Sequence, residues 1–181
     1  MTLHNPVLRR VAIISDTHGH VNDHIVNAIK HCDRIIHAGD ICGAHVLSQL
    51  QEICSEVTAV CGNNDAPGLW AEAETHIVSQ IPAIVEIELP GGTVCIEHGH
   101  KHGMHQPDHA SLRASHPHAK VIVYGHTHKM VIDDAQTPWI VNPGAAGATR
   151  TNGGPSCLIL TACADREWEI EMLRFEDEVV A

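Results

Sequence analysis

Five apolar runs in this chain end in residues that bind metal ions. They are Asp16-Thr17-His18, Gly39-Asp40, Gly62-Asn63-Asn64-Asp65, His98-Gly99-His100 and Gly125-His126-Thr127-His128. Together Asp16, His18, Asp40, Asn63, His98, His126 and His128 supply two carboxylates, one amide oxygen and four imidazoles. A nitrogen and oxygen set without thiolate suits Mn²⁺, Fe, Ni²⁺, Co²⁺ or Zn²⁺. It is too many ligands for one ion and enough for two that share a carboxylate. Any one of these segments alone reads as a polar loop. Five in order, each at the end of an apolar run, read as one site.

The elements that must bring them together follow from periodicity. Val11 to Ser15 is apolar on both faces, as a central strand in a covered sheet should be. Val21, Ile25, Ala28, Ile29 and Cys32 recur at helical spacing, which predicts a helix over about 22–31 with Asn22 as its cap. Arg34 to Ala38 is a second strand, 44–53 a second helix and Val57 to Cys61 a third strand. This β-α-β-α-β order requires parallel strands joined by crossover helices. Ligands at the carboxyl ends of such strands converge at one edge of the sheet. Ile84 to Leu89 and Thr93 to Ile96 form a hairpin about Pro90-Gly91-Gly92. A short helix over about 107–115, strands at 119–124, 129–133 and 138–142, and a closing hairpin, Ser156 to Cys163 with Glu167 to Phe175, complete the chain. Nothing divides residues 1–181, so a single domain is expected.

Composition narrows the function. The net charge is −11, which gives no electrostatic footprint for duplex nucleic acid or an anionic membrane. No apolar run approaches the 18 or so residues that span a bilayer, and no signal-peptide core is visible at the N-terminus. Seven cysteines, none in a CxxC pair, read as reduced buried thiols and hence a cytoplasmic protein. Aromatic residues are only 3%, so the core must be aliphatic. Homo-oligomerisation is left open.

The ordered motif set resembles the calcineurin-like metallophosphoesterase superfamily. Length and the Asn142-Pro143-Gly144 stretch are similar to its small single-domain branch of phosphodiesterases, related to the retromer subunit fold. The resemblance runs from about residue 11 to 175. It implies an α/β fold, a four-layer αββα sandwich of two facing mixed sheets flanked by helices. It implies that Asp16, His18 and His128 bind one metal, that Asn63, His98 and His126 bind a second, and that Asp40 bridges them. Two divalent ions, with Mn²⁺ expected first, would generate a bridging hydroxide for in-line attack on phosphorus. The implied substrate is a small phosphodiester or, alternatively, a phosphomonoester. A protein-binding scaffold of the same fold is the other alternative, disfavoured by the complete ligand set.

Some positions depart from the family pattern. Many members carry a His where this chain has Asn64, which can only exchange hydrogen bonds. His100 is the best substitute proton donor and His20 the second. The candidate catalytic set is therefore Asp40, Asn64, Asp65 and His100, with Asp65 expected to orient ligands or backbone from behind. Glu97 stands where the small branch usually has Ser or Thr. His37 reads as a core histidine, and for Arg150 contact with a substrate phosphate is the less favoured reading. The histidine run from His98 to His118 reads as a polar loop and helix able to take adventitious Ni²⁺ or Zn²⁺.

Overall fold

The computed structural model describes residues 7–176. Strands β1 (Leu8–Ile14), β2 (Arg34–His37) and β3 (Val57–Ala59) are parallel, joined by helices α1 (Asp23–Ile29) and α2 (Ala44–Ile53). Asn22 caps α1 as its sequence position predicts, accepting from the His24 amide at 2.9 Å. The C-terminal hairpin, β9 (Ser156–Cys163) and β10 (Glu169–Arg174), adds antiparallel to β1, so the first sheet runs β10-β9-β1-β2-β3. The second sheet is built from β4 (Ile84–Leu89), β5 (Gly92–Glu97), β6 (Val121–Val123), β7 (Met130–Asp133) and β8 (Trp139–Pro143), in the order β4-β5-β6-β8-β7.

Alternation along the strands makes the layers. Val11 and Ile13 face the second sheet, where Val94, Ile96, Val121, Val123 and Val141 meet them. Ala12 and Ile14 face the other way, onto Ile25 and Ile29 of α1 and Val46 and Leu50 of α2. Beyond the second sheet, Cys95, Ile122 and Ile140 pack on Leu112 of α4 (His109–Ser115). The result is helix, sheet, sheet, helix, as the sequence resemblance implies. Each fully buried Ile or Leu side chain contributes roughly 1.5–3 kcal/mol.

One stretch had no sequence assignment. Residues 66–81 hold Trp70, a 3₁₀ turn at Glu72–Glu74 and the four-residue helix α3 (Thr75–Val78). These pieces are too short to show a period. The carboxyl ends of β1, β2, β3, β5 and β6 lie at the same edge, where the two sheets face each other.

Candidate metal centre

Each ligand loop begins where a strand stops and is tied to its neighbours through backbone bonds. Asp16 N–H donates to Gly39 O (2.9 Å), and His18 N–H to Asp40 O (3.0 Å). Across the two sheets, His126 N–H donates to Asp16 Oδ2 (3.0 Å), and His98 Nδ1–H to Ala38 O (2.8 Å). The glycines in the motifs make this closeness sterically allowed. A Cβ on Gly62 would collide with the Asp40 carboxylate and amide. The loops are also strained: Asp16, His18, Asp40, His126 and His128 all have φ between 47° and 68°. Such left-handed backbone costs about 1–3 kcal/mol per residue and concentrates at functional sites.

Two groups of donors result, with Asp40 between them. Asp16, His18, Asp40 and His128 each place a ligand atom within 4.8 Å of the others, and these four could hold a metal ion. On the other side, Asn63 Oδ1 lies 3.2 Å from His98 Nε2 and 3.0 Å from His126 Nδ1, and His98 Nε2 lies 3.4 Å from Asp40 Oδ1. Neighbouring ligands on a divalent ion with bonds of about 2.1 Å stand about 3 Å apart. All seven predicted ligands are thus assembled.

The imidazole tautomers fit a cation. His98 Nδ1 donates to Ala38 O, His128 Nδ1 to Arg150 O (3.1 Å) and His126 Nε2 to Met104 O (2.8 Å). In each ring this leaves the site-facing nitrogen to act as a ligand, the usual role of such outer bonds. His18 Nε2 accepts from Arg150 Nη2 at 3.0 Å. Asp16 Oδ1 is buried with no hydrogen-bond donor among the described residues. An orphaned carboxylate oxygen facing bare imidazoles is what a cation would satisfy.

The titration behaviour says the same. Burial pushes Asp16 up to about 7, against the opposing pull of His98. Burial also acts to raise Asp40, but the hydrogen bond and charge of His98 and two Asn64 donors outweigh it and hold Asp40 well below the carboxylate range. Burial would lower His98, yet Asp40 and Asp16 raise it. Burial, Arg150 and His18 push His128 down to about 4. The site therefore attracts positive charge at its centre and keeps His128 neutral, ready to bind.

The remaining predicted residues take distinct places. Asn64 is engaged with Asp40, donating its N–H to Oδ1 (2.9 Å) and its side-chain amide to Oδ2 (2.7 Å). Asp65 turns away from the centre. Its carboxylate accepts from the amides of Ile41, Cys42 and Gly62 and from Trp70 Nε1, fixing the loop that carries Asp40. His100 lies 5.5 Å from His98 and 6.1 Å from His126, ring centre to ring centre, and its Nδ1 is buried without a partner among the described residues. His20 is exposed. His37 is fully buried and bonded to Thr17 Oγ1 (2.9 Å), a core histidine as its apolar flanks suggest. Asn142 buttresses the last loop, donating to Gly125 O (2.6 Å) and Thr127 Oγ1 (3.1 Å). Sequence reasoning missed Ser15, whose hydroxyl donates to Asp16 Oδ2 (2.7 Å), and Cys42, whose Sγ is 3.6 Å from His18 Nδ1. Ser15 precedes Asp16 directly and Cys42 follows Asp40 by two residues, and that nearness was the only sequence signal either carried.

The sequence signature described as the calcineurin-like phosphoesterase superfamily domain matches residues 10–165. The chain belongs to this superfamily. A phosphodiesterase of Methanocaldococcus jannaschii is 24% identical over 143 residues, 75% of this chain and 82% of that protein. A probable metallophosphoesterase of Methanothermobacter thermautotrophicus is 24% identical over 155 residues, 83% of this chain and 84% of that protein. In structure, vacuolar protein sorting 29 of Cryptosporidium parvum superposes with a TM-score of 0.72 at 18% identity, covering 94% of this chain and 99% of that one. That likeness speaks for the fold. For a calcineurin-like phosphoesterase, metal dependence and action on phosphoesters go with the family, and Asp16, His18, Asp40 and His128 form a site that fits an ion. Among the described residues no helix is long and apolar enough to cross a membrane.

Proposed function

We propose that this chain hydrolyses small phosphodiesters at a dinuclear centre. In this reading Asp16, His18 and His128 hold one divalent ion, Asn63, His98 and His126 hold the other, and Asp40 is shared. The observation that carries it is the split of the Asp40 carboxylate. Oδ2 faces His18 Nε2 at 3.7 Å, and Oδ1 faces His98 Nε2 at 3.4 Å. When bound, the ions supply an acidified water for in-line attack and positive charge for the phosphoryl oxygens.

The chain's own residues do the rest. Asp40 fixes the separation of the two halves, and Asn64 fixes Asp40. A cavity of 270 Å³ opens beside the second half, lined by Asn63, His100, Met104 and His126, and is suited to a leaving group. His100 lines this cavity, and in this reading its imidazolium form, disfavoured by burial and by His98 and His126 until the negative charge of a leaving-group oxygen develops beside it, gives the leaving-group proton. Arg150 stands over the first half and can meet a non-bridging phosphate oxygen. Mn²⁺ is the expected ion, and a reducing cytoplasm suits seven free thiols.

The test is metal analysis of protein purified without a histidine tag, followed by assay of an aryl phosphodiester and an aryl phosphomonoester with Mn²⁺. Two ions per chain, diester turnover above monoester, and loss of both activities in Asp40→Asn are expected. A wild type that is inert with every divalent metal would replace this reading with that of a binding scaffold.

A further inference from the structure

We propose that the outer face of the second sheet carries a separate transition-metal site, formed by Glu86, Cys95 and His116, with Glu97 orienting His116. Glu86 and Cys95 are direct partners in the β4–β5 register, so their side chains leave the sheet on the same face. Glu97 is two residues further along β5 and points the same way. His116 arrives from the C-terminal end of α4. One ligand atom each from Glu86, Cys95 and His116 lies within 4.8 Å of the other two. These residues share no ligand with the Asp40 centre. The next residue along, His98, belongs to that centre.

The support behind the ligands is what distinguishes this cluster from a chance grouping. Glu97 is only 3% exposed, and its Oε1 receives His116 Nε2 at 2.8 Å. With Nε2 donating to Glu97, Nδ1 is the nitrogen assigned to the ion, the carboxylate–histidine–metal arrangement that orients ligands in metal sites. His102 Nε2 meets the same oxygen at 3.1 Å, and Ser111 Oγ holds His102 Nδ1 at 2.8 Å, so Glu97 is itself fixed. The departure of Glu97 from the small side chain usual at this position thus serves the outer face of the sheet.

Sulfur, nitrogen and oxygen donors together select a borderline-soft divalent ion, Zn²⁺ or Co²⁺, over Mn²⁺ or Mg²⁺. Burial and the nearby carboxylates push the Cys95 thiol up to about 12, so it carries its proton until an ion arrives. On binding, the S–H bond breaks, the proton leaves to solvent and a metal–thiolate bond forms. The exposed Glu86 gives the ion a way in. Such an ion would pin the β4–β5 hairpin to α4.

The experiment uses Co²⁺ added to the chelator-stripped, untagged full chain, read by near-ultraviolet absorption. A thiolate-to-cobalt charge-transfer band reports cysteine ligation, which the Asp40 centre as assigned does not provide. The band should saturate by three equivalents, the other two ions filling the Asp40 centre without a thiolate band, remain in Asp40→Asn and Cys42→Ser, and vanish in Cys95→Ser. Glu86→Gln changes an exposed residue and cannot disturb the core; it should weaken Co²⁺ binding by about tenfold or more. No band at saturating Co²⁺, a band that survives Cys95→Ser, a band lost in Cys42→Ser, or unchanged affinity in Glu86→Gln would each overturn the site.

Discussion

Asn64 grips Asp40 at both carboxylate oxygens, through its backbone N–H at 2.9 Å and its side-chain amide at 2.7 Å. In the proposed dinuclear reading, Asn64, at the position where the resemblance implies a leaving-group histidine, is therefore a positioning residue for the shared carboxylate. Asn64→Ala should lower metal affinity and kcat together by roughly 10- to 100-fold. Isothermal titration with Mn²⁺ beside steady-state kinetics checks this. A fall in kcat at unchanged metal affinity would return Asn64 to the leaving-group role.

His100 supplies the contrast. Its Nδ1 is unpartnered and its ring lines the cavity, but it holds no predicted ligand in place. His100→Ala should leave Mn²⁺ affinity intact and slow poor leaving groups by about 10²-fold or more, with little effect on nitrophenolate. The measurement is the dependence of kcat on leaving-group pKa, which should steepen. An unchanged slope contradicts the assignment.

The contribution of Asp16 to the stability of the metal-free protein should fall as pH rises from about 4 to about 7. Asp16 sits at about 7 in the fold against about 4 in an unfolded chain. The folded state therefore binds the extra proton across that window, and its contribution is lost as pH climbs through the folded value. The raised His98 acts in the same sense. The depressed Asp40 matters only below the window. The melting temperature of chelated wild type minus that of chelated Asp16→Asn, followed against pH, isolates this from His37 and His128, whose depressed values act in the opposite sense, and saturating Mn²⁺ should restore the lost stability in wild type by taking the proton's place. A difference between wild type and Asp16→Asn that grows in favour of wild type as pH rises in chelator would refute the account.

Arg150 is exposed, with its guanidinium 3.0 Å from His18 and its carbonyl accepting from His128. Charge-assisted hydrogen bonds of this kind contribute roughly 1.5–3 kcal/mol. Arg150→Ala should raise both KM and the inhibition constant of inorganic phosphate about 10- to 100-fold, and Arg150→Lys less. Equal phosphate inhibition in wild type and Arg150→Ala would remove it from the substrate site.

Gly62→Ala puts a methyl group into the Asp40 carboxylate and amide. The Asp40 amide is backbone and its carboxylate is held by Asn64, so neither gives way easily. Metal content and activity should collapse together, with a lowered melting temperature. Retention of full metal content would show that the two loops can separate.

The ligands themselves were legible in the sequence, because chemistry at the end of an apolar run is a local pattern. Asp16, Asp40, Asn63, His98 and His126 each follow within four residues of the end of the strand that carries them. The β-α-β-α-β start was legible for the same reason: Ile25 and Ile29 repeat at helical spacing, and Val11 to Ile14 run apolar on both faces. Residues 66–81 were not, since a 3₁₀ turn and a four-residue helix are shorter than the window in which a period can be seen.

Only the tertiary structure decided what the ligands lean on. Asp65 bonding the Ile41 and Cys42 amides, Met104 supplying a carbonyl to His126, and Asn64 turning onto Asp40 all join segments that only the packed sheets bring together. The left-handed backbone at Asp16, His18, Asp40, His126 and His128 is likewise not readable from residue type, since Asp and His adopt it more often than most residues yet still only at a minority of their positions. It persists because two facing sheets fix both ends of every loop, so the fold holds a conformation that local preference opposes. The sequence by itself determined which atoms could bind metal. The fold determined which nitrogen, which oxygen and which side of Asp40.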